Sequence, residues 1–400
     1  MRSCVGSGPA SSANSARDGV FSRPRRIIGY YAGWTSKAKN YTPLDIPADK
    51  LTHVNYAFAL IDVDGRAALP DPETDIGHAD VAASPDLGSL RGNFNQLRLL
   101  KERHPHLRTL ISIGGWTGSG RFSDAVATER KRREFVGSCI ALFITRWPGV
   151  FDGIDIDWEF PVCCGLPENS YRPDDKENCT LLFLELRRQL DELGAVTGRH
   201  YLLTAAFPAG RKLPLTCFDV LEAGRILDWI NVMTYDMNES ERNGVTNFNA
   251  PLRPTTGDPG SLAVRQAWSV EGTARVFKEA GVPREKIVIG VPFYGRGFTG
   301  VPNVNDGLFQ PFTGTMSPDY HTIEADFLTK FQRFWHPEAG APWLYDAESG
   351  TMLSYDDPDA IAGKTYFVRE QGLGGVMLWE LSGDDDESSL LTAISSQLNP

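Results

Sequence analysis

No stretch of this sequence is long and apolar enough to read as a membrane-spanning helix, which needs about 20 apolar residues in a row. Positive charge is in deficit. Lys and Arg number 40 against 51 Asp and Glu, a formal net charge of -11, so a nucleic acid or an anionic membrane surface would be repelled. The cysteines, Cys4, Cys139, Cys163, Cys164, Cys179 and Cys217, contain no C-x-x-C pair and have no His at finger spacing, which argues against zinc. His104-Pro105-His106 has a metal-like look but precedes a strand, so a solvated turn is expected; no metal and no other cofactor is. Cys139 reads as a buried thiol, and Cys163 or Cys164 closing a loop onto Cys179 stands level with free thiols. Residues 1–25 are rich in Ser, Ala and Gly, lack the apolar core of a secretory signal and read as a disordered tail.

What is present is the run Asp152-Gly153-Ile154-Asp155-Ile156-Asp157-Trp158-Glu159. In an extended strand side chains alternate, so Asp155, Asp157 and Glu159 line one face while Ile154, Ile156 and Trp158 cover the other. A solvent-facing edge strand is the plain alternative, but its acids would be mixed with Lys and other polar residues. Crowded carboxyls cannot all ionise: Asp155 and Asp157 are expected to share a proton, and Glu159 to be pushed toward its protonated form. A neutral acid held ready to protonate a leaving oxygen is what cleavage of a glycosidic bond requires. Asp152 breaks the alternation and reads as structural. The acidic run from Asp384 to Glu387 reads as a solvated loop or helix start.

Short apolar runs alternate with amphipathic stretches, the pattern of repeated βα units. The strands are expected at Arg26 to Tyr31, Leu51 to Leu60, Thr109 to Ile113, Gly153 to Glu159, Tyr201 to Phe207, Trp229 to Thr234, Ile287 to Pro292 and Gly375 to Trp379. Eight such units close most economically as a (β/α)8 TIM barrel, with the chemistry at the carboxyl ends of the strands. The last two strands are separated by more chain than one helix needs. This predicts a barrel of residues 26–298 and 354–400 with a small α+β insertion at 299–353 standing beside the site.

Five segments, in order, carry a resemblance: the acidic run itself, Ser112-Ile113-Gly114-Gly115-Trp116, Met233-Thr234-Tyr235-Asp236, Pro292-Phe293-Tyr294-Gly295-Arg296-Gly297-Phe298, and Gly374-Gly375-Val376-Met377-Leu378-Trp379-Glu380. Together they resemble the family-18 chitinases, in particular the bacterial-type subgroup with an insertion domain, over about residues 26 to 398. The resemblance implies a secreted, monomeric glycoside hydrolase acting on chitin or chitooligosaccharides. The substrate's own 2-acetamido oxygen would attack the anomeric carbon and configuration would be retained. Glu159 is then the acid, Asp157 the partner of the acetamido N–H, Tyr235 the donor to its carbonyl, and Asp155 the holder of the proton that lets Asp157 turn. Met233, Asp236, Tyr294 and Arg296 would flank the same sugar. Trp379 would be its stacking platform, extended by Trp34 and Trp116, with Tyr30, Phe58 and Ser112 completing the substrate contacts.

Two positions depart from the family pattern. Gly118 and Glu241 stand where aromatic residues often lie on the leaving-group side, so weak sugar binding is expected there. Rival readings are an endo-N-acetylglucosaminidase acting on glycoprotein glycans, which usually lacks the insertion and the Trp379 motif, and a non-hydrolytic chitin-binding lectin, whose mark is loss of the acid.

Overall fold

The computed structural model describes residues 25–78, 88–237 and 244–399. Cys4 and the tail to residue 24 lie outside these, as does Glu241. Among the described residues the strands, in chain order, are β1 (Arg26–Ala32), β2 (His53–Ile61), β3 (Ala67–Ala68), β4 (Arg108–Gly114), β5 (Gly153–Asp157), β6 (Leu202–Pro208), β7 (Trp229–Met233), β8 (Ile287–Pro292), β9 (Arg296–Thr299), β10 (Gly314–Met316), β11 (Gln332–His336), β12 (Ala341–Asp346), β13 (Thr351–Ser354) and β14 (Gly375–Trp379). Strands β1, β14, β8, β7, β6, β5, β4 and β2 pair in that order, all parallel, and β1 pairs back onto β2. That is a closed (β/α)8 barrel, as the βα alternation predicts.

Strand alternation sorts the side chains into two cores. On β5, Ile154 and Ile156 point outward into the large cluster between barrel and helices, which also holds Ile111, Ile113, Leu203, Ile230, Ile289 and Leu378. The inward set forms a smaller interior cluster of Ile28, Tyr30, Ala57, Trp229, Val288 and Met377. Each outward aliphatic side chain adds roughly 1.5–3 kcal/mol on burial. The covering helices are capped by sequence-local means. Thr128 caps Glu129–Cys139, Ser269 caps Val270–Glu279, and Asp357 caps Pro358–Gln371, which closes at Gly372 in the left-handed region with φ 63°.

Strand β3 pairs antiparallel with the end of β2, and the other five strands form a separate antiparallel sheet in the order β10-β9-β13-β12-β11. Its first strand already begins at Arg296, ahead of the residue 299 expected from the sequence. Its two faces go different ways: Trp343, Tyr345 and Met352 join Phe248, Phe298 and Leu308 in a core of their own, while Leu344 and Leu353 face the barrel's outer core. The sheet is therefore clamped between two hydrophobic clusters.

Several smaller expectations meet the structure here. His106 lies in an exposed turn with a ring nitrogen 3.1 Å from the Ala48 carbonyl oxygen. Asp152 is structural: its carboxylate accepts from the Thr109 amide and from Lys101. Asp384 is not a solvated acid. It accepts from the amides of Leu390 and Leu391 at the start of helix Ser389–Leu398, and burial pushes its pKa up to about 6.

Candidate active site

Asp155 is fully buried, yet protein donors surround it. Oδ2 accepts from the Tyr30 hydroxyl and the Ser112 hydroxyl, each at 2.7 Å; Oδ1 accepts from Thr204 Oγ1 at 2.5 Å and Asn231 Nδ2 at 3.2 Å. Register brings them together. Ser112, Asp155 and Thr204 are neighbours across β4, β5 and β6, all on inward-facing positions. Burial raises the Asp155 pKa, and the donors from Thr204, Tyr30, Ser112 and Asn231 oppose that rise by favouring the anion. Asn231 is itself oriented by the Trp229 indole N–H at 2.9 Å. Thr204 and Asn231 are missed by motif reading. Their signal is a polar residue at an inward position of an otherwise apolar strand.

Asp157 is placed differently. It is 4% exposed, and its Oδ1 has no hydrogen-bond partner. Burial, then the charges of Glu159 and Asp155, push its pKa well above the carboxylate range. The two acids expected to share a proton are thus treated unequally: the donors gather on Asp155, and the stronger upward push falls on Asp157.

The strand ends at Asp157, two residues before the end expected from the alternation, because its carbonyl oxygen turns to the Gly115 amide (2.8 Å) and the Ser119 hydroxyl (3.1 Å). Gly114 takes φ 113° there, and a Cβ on it would lie 2.1 Å from the Asp157 carbonyl oxygen, so only glycine fits. Buried Ser119 also accepts from the Glu159 amide at 2.8 Å, while Asn169 Nδ2 donates to the Glu159 carbonyl at 3.3 Å. The backbone carrying Glu159 is therefore fixed on both sides.

Across the mouth, Tyr235 is buried, with its hydroxyl 3.8 Å from Met377 Sδ. Burial and the surrounding carboxylates Asp157, Asp236, Glu159 and Asp155 raise its pKa well above the usual phenol value, so it stays a donor. Asp236 accepts on one oxygen from the Tyr294 hydroxyl and Arg296 Nε, each at 2.7 Å. Met233 lies against the same interior cluster. The aromatic wall is continuous. Trp379 and Phe58 stack with centroids 5.6 Å apart and planes at 18°, Trp34 lies 6.3 Å from Phe58 and 6.4 Å from Trp379, and Tyr30 closes the base 5.5 Å from Trp379. Trp34 is 52% exposed and Trp116 47%, so both present indole to solvent. Non-prolyl cis peptides precede Phe58, Phe160 and Glu380. Among the described residues no group of three or more His, Cys, Asp or Glu is placed to hold a metal ion.

With the acids, phenol and aromatic wall gathered at one barrel mouth, the comparisons decide the family. The model of glycosyl hydrolases family 18 matches residues 26–384. The chain belongs to that family. It is 38% identical to Chitinase A1 of Niallia circulans over 91% of its length, but spans only 57% of that relative. Among solved structures, chitinase ChiA74 from Bacillus thuringiensis matches with a TM-score of 0.86 and 35% identity, covering 94% of this chain and 70% of that one. A family-18 N-acetylglucosaminidase from Paenibacillus barengoltzii matches at 0.78 and 34%, covering 93% and 99%.

Measured against the expectations from the sequence, four readings change. Tyr30 and Ser112, expected to touch substrate, are 2% and 0% exposed and spend their hydroxyls on Asp155. Gly118 is not an empty stacking position: a Cβ there would meet the Gly114 carbonyl oxygen at 2.1 Å, so the residue is wedged under the loop. Cys163 and Cys164 bond to each other and not to Cys179. Cys164 is exposed in the loop after Glu159, whereas Cys179 is 1% exposed on the inner face of helix Asp175–Thr197.

Proposed function

We propose that this chain hydrolyses β-1,4 bonds between N-acetylglucosamine units of chitin and chitooligosaccharides, with retention of configuration and the substrate's acetamido group as nucleophile. The observation that carries this reading is the unequal treatment of two neighbouring acids. Asp155 is surrounded by four side-chain donors that favour its anion, while Asp157, between it and Glu159, has a free acceptor oxygen and a pKa pushed well above the carboxylate range. All three acids rise from one strand end, so none of them faces the others across a sugar as a nucleophile would. Asp157 then takes the acetamido N–H and Tyr235 donates to its carbonyl oxygen, which turns that oxygen toward the anomeric carbon. Glu159, with its backbone locked by Ser119 and Asn169, protonates the leaving oxygen. Trp379 lies under the apolar face of that sugar, with Trp34 and Trp116 extending the platform. Asp236, Tyr294 and Arg296 line the opposite wall.

The second sheet beside the mouth and the intact Trp379 wall favour chitin over protein-linked glycans, and the presence of Glu159 favours hydrolysis over binding alone. An insoluble polymer as substrate implies action outside the cell. Glu159→Gln tests the assignment. Its fold and oligomer binding are expected to survive while turnover falls by at least about 10² to 10⁴-fold, the share of a general acid. Proton NMR of fresh product from the parent should show the β anomer first. An initial α anomer, or turnover in Glu159→Gln above about a tenth of the parent's, would sink the assignment.

A further inference from the structure

Asp236 sits in the left-handed region with φ 52°, a conformation that an L residue keeps only when its surroundings impose it. Asn249 holds this turn at two successive amides. Asn249 accepts the Asp236 amide on its side-chain Oδ1 at 2.9 Å and the Met237 amide on its backbone oxygen at 3.0 Å. Its own amide donates to Ser354 Oγ at 2.8 Å. Ser354 ends β13 in the second sheet and lies opposite Arg296 in the β13–β9 ladder. Arg296 returns to Asp236 through Nε and Nη2, each at 2.7 Å. The contacts run in a ring: hydrogen bonds join Asp236 to Asn249 and Asn249 to Ser354, strand pairing sets Ser354 opposite Arg296, and Arg296 bonds back to Asp236. Asn249 and Ser354 are each 1% exposed, so neither can touch a sugar, whereas the Asp236 and Arg296 side chains are 30% exposed at the mouth.

We propose that Asn249 is a positioning residue for substrate binding, through which Ser354 of the second sheet sets where the Asp236 carboxylate stands. The inference rests on the functional reading above for its kinetic consequence only; the geometric link holds for any ligand of Asp236. In Asn249→Ala the turn loses the acceptor that holds the Asp236 amide, and the carboxylate drifts from Tyr294 and Arg296. The acid machinery on β5 makes no bond to Asn249, so binding suffers and the chemical step does not. Ser354→Ala loosens the same ring one bond further away.

The test measures hydrolysis of a soluble tetramer of β-1,4-linked N-acetylglucosamine by the parent, Asn249→Ala, Ser354→Ala and the double variant, with hydrogen exchange of the 233–237 peptide in each. Expected is a KM about tenfold higher in Asn249→Ala with kcat within about twofold, the loss of one buried hydrogen bond at the binding wall. Ser354→Ala should show a smaller rise of the same kind, and the double variant less than the sum of the two, because Ser354 reaches Asp236 through residue 249. Exchange in the 233–237 peptide should quicken in both single variants. A turn-forming role alone would lower the melting temperature and leave KM at the parent value in the folded protein, which overturns the proposal. Unchanged exchange also overturns it. Should Asn249→Ala not fold, Ser354→Ala carries both readouts. Should the parent leave the tetramer intact, the functional reading fails, and the exchange arm still decides whether the ring holds Asp236.

Discussion

Asp155 and Asp157 are the same residue type on the same face of one strand, and they should respond oppositely to the same substitution. Asp155→Asn sets an amide NH2 against two of the donors from Tyr30, Ser112, Thr204 and Asn231 whichever way it turns, leaving buried groups unpaired. A loss of about 1–3 kcal/mol in urea unfolding is expected. Asp157→Asn takes no hydrogen-bond partner from Oδ1 and supplies a neutral group where burial and two neighbouring acids disfavour a charge, without the need to bind a proton. The sign of its pH effect follows from the raised folded pKa. The folded state binds the proton more tightly than the unfolded chain, so stability is fully present below the unfolded pKa of about 4 and declines as pH rises toward the folded value. Asp157→Asn should therefore melt above the parent near neutral and alkaline pH, and the gap should shrink as pH falls to about 4. Melting curves across pH check this, and a gap that widens on acidification would reverse the assignment. Both variants should lose activity.

At the scale of elements, the barrel strands were legible because apolar runs with β-branched residues recur at βα spacing, and β5 stood out because its inward face is acidic where packing alone would make it apolar. The site was legible only in part. Glu159, Asp157, Tyr235 and Trp379 lie in compact motifs, but the donors to Asp155 come from β1, β4, β6 and β7, and what unites them is sheet register, which no local pattern records. Ser119 and Asn169, which hold the Glu159 backbone, are ordinary loop residues for the same reason. The pairing of Cys163 with Cys164 was equally hidden, because spacing says nothing of which side of a helix Cys179 takes. Register yields its own prediction. Thr204→Val keeps the shape of β6 while removing one donor from Asp155. About 1–3 kcal/mol of stability should be lost, and kcat should fall although Thr204 is fully buried away from any sugar. Urea titration and tetramer kinetics check the two halves, and an unaltered kcat would detach Asp155 from the chemistry.

On the scale of the whole molecule, the one covalent cross-link among the described residues joins sequence neighbours. A bridge that closes so short a loop removes little entropy from the unfolded chain, so replacing both Cys163 and Cys164 by Ser should alter the unfolding free energy by about 1 kcal/mol or less. A drop of several kcal/mol would show that the loop after Glu159 depends on the bridge for its native packing. What keeps the molecule together is burial on both sides of the barrel wall and on both faces of the second sheet.

The pairing of β1 with β14 sets an order of assembly. During synthesis the acids of β5 leave the ribosome early, but the barrel has an open edge on each side until the strand that ends in Trp379 arrives. Phe58 and Trp34 wait just as long for the indole they stack against. Lys39, which bonds Asp319 and Glu380, then ties the loop after β1 to chain made hundreds of residues later. A nascent chain thus carries the acids of β5 well before the barrel mouth around them exists, and that mouth is completed in one step, when its first and last barrel strands meet.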